Sequence, residues 1–254
     1  MLHRNGSAGP TARAVRRAAA FVWALLLLAG IGLAHAQAPA PAARTGPQRV
    51  DAVEVELVAE RVAVRPGERA VLGLRLRHDP HWHTYWRNPG DSGLATQIEP
   101  SGPPGTRFEA IRWPAPVRLW VGPLANYGYE DEVVLPFAVE VPRDATGPRV
   151  RVEAAAQWLV CKDVCIPGEA RLALELPLAA ASDAAPARSS HAALFDAMAV
   201  RTPDASAPTV ATAHPEGRRL ALVFASPAPG AAVARAEFFP YAEGVVSPPA
   251  PQAL

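Results

Sequence analysis

The chain has 254 residues, half of them apolar and 19% charged, with a formal net charge of +1. That balance excludes the concentrated basic excess of a nucleic-acid binder. Two cysteines exclude a disulfide-dense scaffold and any zinc site built from four cysteines.

Arg13, Arg16 and Arg17 precede an apolar run over residues 18–33 that ends in Ala34-His35-Ala36. A basic segment, a short apolar segment and an A-x-A site read as a cleavable signal peptide over residues 1–36. Its strongly apolar part falls short of the roughly 20 residues that span a bilayer. Export implies an oxidising compartment in which a cysteine pair persists. Residues 37–49 are rich in Ala and Pro and read as a disordered leader.

Val53, Val55 and Leu57 alternate with Glu54 and Glu56, and Leu72, Leu74 and Leu76 alternate with Arg75 and Arg77. That period of two turns one face of each segment into a core. Residues 107–113, 132–141, 149–160 and 170–178 are further strand candidates, and Pro136 inside one of them belongs at an edge or a bulge. Arg65-Pro66-Gly67, Pro103-Pro104-Gly105 and Thr146-Gly147-Pro148 supply turns. Short strands without helical interludes predict an all-β, antiparallel sandwich over residues 50–179. In such a sandwich Trp113 and Trp158 are core side chains, and the stretch 81–93 reads as a long loop pinned by its own side chains.

Residues 180–190 have linker composition. Leu194, Phe195 and Met198 carry helical spacing within 191–201, and strand-like runs follow at 218–225 and 233–239. Residues 191–254 therefore read as a partial second β-rich domain or linker region. Ser247-Pro248-Pro249-Ala250-Pro251 reads as a linker leading into a longer architecture.

The chemistry lies in Gln157-Trp158-Leu159-Val160-Cys161-Lys162-Asp163-Val164-Cys165-Ile166-Pro167. Two cysteines four apart meet if the chain turns between them. As a staple the bond is weak, because closing about five residues contributes roughly 2 kcal/mol. Lys162, the chain's single lysine, sits between the thiols and favours a thiolate, while Asp163 opposes it. A redox pair, a structural disulfide and a copper or zinc site completed by His81 and His83 all fit these residues. No Walker loop, G-x-S-x-G, G-x-G-x-x-G or H-E-x-x-H is present. A carbohydrate platform on the aromatics of 81–93 lacks the accompanying pair of carboxylates.

Three segments in order carry a resemblance. Trp82-His83-Thr84-Tyr85-Trp86-Arg87-Asn88-Pro89-Gly90-Asp91-Ser92-Gly93, Asn126-Tyr127-Gly128-Tyr129-Glu130-Asp131 and Trp158 through Pro167 look like the periplasmic N-terminal region of DsbD/ScsB-type thiol:disulfide interchange proteins. The resemblance covers residues 50–180 well and the remainder loosely. It implies an immunoglobulin-like sandwich, a periplasmic location and one redox-active pair, Cys161 and Cys165. It further implies that electrons come from a membrane-embedded redox domain, in trans or on a longer chain, and pass to periplasmic thioredoxin-like or disulfide isomerase proteins. No cofactor or metal is needed for such exchange. By position Cys165 is the attacking thiol, although C-x3-C is narrower than the pair of the better-known branch. The resemblance also places an aromatic cap loop at Leu119, Trp120, Tyr127 and Tyr129, with Trp120 the favoured cap residue. Glu130 or Asp131 would supply a nearby charge.

Overall fold

In the computed structural model, residues 43–180, 182–203, 211–217, 219–224 and 236–253 are described. The expected signal peptide and residues 37–42 of the leader lie outside them. The strands are β1 (Arg44–Thr45), β2 (Gln48–Val50), β3 (Val53–Ala59), β4 (Arg69–His78), β5 (His83–Gly90), β6 (Gln97–Ser101) and β7 (Arg107–Phe108). They continue as β8 (Val117–Val121), β9 (Leu124–Glu130), β10 (Glu132–Glu140), β11 (Arg149–Cys161) and β12 (Cys165–Pro177). A helix α1 (Ala192–Arg201) and the hairpin β13 (Ala211–Glu216) and β14 (Arg219–Phe224) follow. No helix among the described residues is long and apolar enough to cross a membrane.

The alternating segments pair as expected. Strands β2, β3, β4, β10 and β7 form one sheet in that order; β1, β12, β11, β5, β9 and β8 form the other, with β6 also on β11. Leu72, Leu74, Leu76 and Leu135 of the first sheet have no exposed surface. They meet Val152, Ala154, Ala156, Trp158, Val160 and Leu172 of the second in one core. This is the all-β, immunoglobulin-like arrangement: two sheets with apolar faces inward and the polar residues of alternate positions outward. On the outer face of the first sheet Arg75 lies 2.6 Å from Glu132 and 3.2 Å from Glu56. Pro136 sits opposite Gly73 of β4, whereas β7 pairs only with Val139 and Glu140. At Pro136 the other side of β10 is thus free of a ladder and receives only the Arg112 N–H, as a proline requires.

Several boundaries differ from the sequence reading. Of the expected disordered leader, Arg44–Thr45 pairs with β12 and Gln48–Val50 with β3. These strands are too short to show periodicity in an Ala/Pro-rich stretch. The expected linker lies along the sandwich, with Val62 N–H donating to Ala187 O and Ser189 N–H to Glu60 O. The helix does not begin a second domain. Phe195 and Met198 are buried in the core cluster, over β4 and β10, where each apolar side chain contributes about 1.5–3 kcal/mol. Gly73 makes that seat possible, since a Cβ there would overlap Val134 and press on the Phe195 ring. Phe239 also returns to the sandwich, 5.2 Å from the Tyr127 ring, and Asn88 Nδ2 donates to Pro240 O at 2.8 Å. The predicted strand at 107–113 shrinks to Arg107–Phe108, and β5, in a stretch read as a loop, is a central strand.

Candidate functional site

The β11–β12 hairpin brings the cysteines together. Its ladder runs unbroken from Arg149↔Pro177 to Cys161↔Cys165, leaving Lys162, Asp163 and Val164 as the turn. Lys162 N–H donates to Val164 O across it at 3.0 Å. The two sulfurs are bonded, with the Cα atoms 4.1 Å apart. Because Val160 and Trp158 point into the core, Cys161 points to the outer face of the sheet. Even so, Cys161 is only 2% exposed, while Cys165, Lys162, Asp163 and Val164 are exposed.

What covers Cys161 comes from the neighbouring strand. Cys161 is the direct partner of His83, and His83 of Glu130, so β9, β5, β11 and β12 set Glu130, His83, Cys161 and Cys165 in one row across the sheet. Directly opposed side chains share a face, with β-carbons about 4.5–5.5 Å apart. His83 is 4% exposed, and its Nε2 has no hydrogen-bond partner. Burial pulls its pKa below the ordinary histidine value, so the ring is neutral at pH 7.

Two residues on, Tyr85 shares that outward face. Its hydroxyl is 3.8 Å from Cys165 Sγ and its ring meets His83 edge-on at 5.2 Å. Burial raises the phenol's pKa, against the opposing pull of a hydrogen bond with Ser92, so the O–H stays protonated. The segment after β5 folds over this ring: Tyr85 bridges to Ala95, and Gly93, at φ +106°, lies against the ring where any side chain would overlap it. Asp91 and Asn126 pin the segment, the Asp91 carboxylate accepting from Ala125 N–H at 2.8 Å and Asn126 Oδ1 from Ser92 N–H at 3.1 Å.

Beneath the site, His78 at the end of β4 faces inward. Its Nδ1 lies 3.1 Å from Asp131 O and its Nε2 3.0 Å from Thr84 Oγ1. A carbonyl only accepts, so Nδ1–H donates to Asp131 and Nε2 accepts from Thr84. Burial pushes the His78 pKa down to about 4, fixing this neutral arrangement. Thus β4, β5 and the β9–β10 turn are tied together directly under His83.

The other expected site residues lie elsewhere. Tyr127 and Tyr129 are core side chains at 0% and 1% exposure, Tyr129 donating to Pro114 O at 2.7 Å. They are not a cap, because they occupy the inward positions of β9. Trp120 is 57% exposed and pairs with Ala125, at the opposite end of β9 from Glu130. That separation is about 17 Å at about 3.4 Å per residue, which removes Trp120 from above the sulfurs. Asp131 contributes its backbone carbonyl to His78, at φ 56°. Among the described residues no group of three or more His, Cys, Asp or Glu is placed to hold a metal ion. Sequence reasoning set His83 beside the cysteines only as a metal ligand and did not set Tyr85 there.

Comparison with known proteins fits this geometry. Residues 51–177 match the family described as "Thiol:disulfide interchange protein DsbD, N-terminal". The N-terminal periplasmic domain of ScsB from Proteus mirabilis superposes with a TM-score of 0.51 at 21% identity, over 71% of this chain and 68% of that one. At that identity the likeness shows the fold. AvmM, a macrocyclization catalyst of alchivemycin A biosynthesis, aligns at a TM-score of 0.26 and 9% identity over 58% of this chain and 99% of its own, too weak to carry any argument. No curated protein matches. The match over residues 51–177, with the bonded cysteine pair inside it, makes this chain a member of the DsbD N-terminal family, a thiol:disulfide interchange domain.

Proposed function

We propose that the chain is a periplasmic electron-relay module that reduces protein disulfides through Cys161 and Cys165. In the reduced module the Cys165 thiolate attacks one sulfur of a partner's disulfide and the other partner sulfur leaves as a thiol. Cys161 then attacks Cys165 Sγ, the partner's second thiol departs, and the Cys161–Cys165 bond carries away the two-electron deficit. A membrane-embedded redox domain, on this chain or another, restores the dithiol by the same steps in reverse. Thioredoxin-like or disulfide isomerase proteins are the acceptors, and residues 1–36 direct export. No organic cofactor or metal takes part.

The observation that carries this reading is the asymmetry of the pair: Cys165 is exposed and Cys161 is 2% exposed. An exposed sulfur is open to a partner, and a shielded one acts only within the molecule. A structural staple is the weaker reading, since the ladder from Arg149 to Cys161 already closes the hairpin. A bond across about five residues adds only roughly 2 kcal/mol.

Thiol trapping across a series of redox buffers tests the proposal. We expect a reversible two-electron couple between about −300 and −120 mV, with the reduced protein still folded. A pair that stays oxidised well below about −300 mV, or a fold that collapses on reduction, contradicts it.

A further inference from the structure

We infer that His83 carries the proton of the resolving step, taking it from Cys161 as that sulfur closes on Cys165 and delivering it to the departing partner thiolate. The inference rests on the exchange chemistry proposed above and adds a group to it.

Three observations converge on His83. It is the cross-strand partner of Cys161, which places the two side chains side by side on one face. Its Nε2 is buried and lacks any partner in the oxidised protein. An unpartnered buried nitrogen costs about 1–3 kcal/mol, and such an exception calls for a reason. A disulfide sulfur has no proton to give, whereas a thiol has one. Reduction of the pair turns Cys161, opposite His83 in the ladder, into an S–H donor on the same face as that ring. Third, Cys161 is shut away from water at 2% exposure, so solvent is poorly placed to deprotonate it.

The step balances without any further reactant. Cys161–SH and the mixed disulfide Cys165–S–S–R become Cys161–S–S–Cys165 and R–SH, and the imidazole is neutral before and after. In the reverse direction the same ring protonates Cys161 as a dithiol opens the bond. The groups facing His83 are Glu130 from β9, Tyr85 from its own strand, Cys161 from β11 and Cys165 from β12. His78 lies behind it on β4, and Lys162 and Asp163 stand in the adjoining turn. Neutral imidazole is the form able to accept a proton, and burial favours that form at pH 7.

The full chain, reduced and mixed with excess 5,5′-dithiobis(2-nitrobenzoate), separates the two steps. The first coloured thiolate reports attack by Cys165, and the second reports resolution by Cys161, where the leaving group stays ionised and His83 passes the Cys161 proton on to water. In H83Q we expect the first release to stay within about twofold of wild type and the second to slow at least about tenfold at pH 7. The wild-type second release should vary little between about pH 6.5 and 8. In H83Q it should climb about tenfold per pH unit, as the thiolate fraction of an unassisted thiol does below its pKa. Should H83Q fail to fold, the wild-type pH profile decides, together with the ¹⁵N shift of the His83 ring, which should move on reduction of the pair. A steep wild-type second release, equal slowing of both releases, or a ring shift indifferent to reduction would overturn the role of His83. Exchange itself fails separately, and the His83 role with it, if wild type releases no second thiolate. If C161A gives no first release, the assignment of Cys165 as attacker is the part that falls, and the proton acceptor of a buried resolving Cys161 falls with it.

Discussion

Gly93 lies against the ring of Tyr85, so that a β-carbon at position 93 would overlap Cε1, Cδ1 and Cζ of the phenol ring. Position 93 in the segment that roofs Tyr85 therefore has no room for a side chain, and its φ of +106° is one that other residues rarely adopt. G93A should lose about 2–3 kcal/mol of stability through strain and overpacking. It should also displace Tyr85 from Cys165. Chemical denaturation measures the first effect, and alkylation of the reduced pair the second. A variant as stable as wild type would mean that the roof is not packed as described.

The Tyr85 hydroxyl is 3.8 Å from Cys165 Sγ and remains protonated. In the dithiol it is placed to donate to a Cys165 thiolate. Y85F keeps the ring and removes only that donor, a contact worth about 0.5–1.5 kcal/mol. Alkylation of Cys165 at pH 7 should slow about two- to tenfold, with its pH profile displaced upward and the melting temperature nearly unchanged. An unaltered profile would assign Tyr85 a packing role alone.

His78 makes stability depend on pH. Its folded pKa is about 4, below an unfolded value of 6.5. Between those values the unfolded chain binds more protons, so this contribution is complete above about pH 6.5 and is lost as pH falls toward 4. At about 1.36 kcal/mol per pH unit the loss reaches about 3 kcal/mol. Urea denaturation at a series of pH values should show that slope, and H78N should flatten it. His83 acts in the same direction, since burial lowers its pKa as well.

Alternation made β3 and β4 legible in the sequence, whereas the buried central strands β5 and β9 were not. The candidates at 132–141, 149–160 and 170–178 also fall on β10, β11 and the second half of β12. β5 hid because His83, Thr84, Tyr85 and Trp86 are all buried, leaving no polar phase to read, and because Pro89 and Gly90 look like turn residues. β9 hid in the same way behind Asn126 and Gly128. The cysteines announced themselves by spacing and by their flanking motif. Their neighbours His83 and Tyr85 depend on register across strands far apart in sequence, which no local pattern encodes. Composition misled at the C-terminal side, where Phe195 and Phe239 pack onto the sandwich instead of into a core of their own.

The order of the two sulfurs is the centre of this account, and trapping the mixed disulfide tests it most directly. C161A and C165A, each purified from an oxidising compartment, are resolved on non-reducing gels and their covalent adducts counted. C161A should accumulate a mixed disulfide through Cys165, because the thiol that would release the partner is gone. C165A should accumulate none, because Cys161 is shielded from any partner. Adducts on Cys161 in C165A, with none on Cys165 in C161A, would reverse the roles; adducts on neither would contradict the exchange mechanism itself.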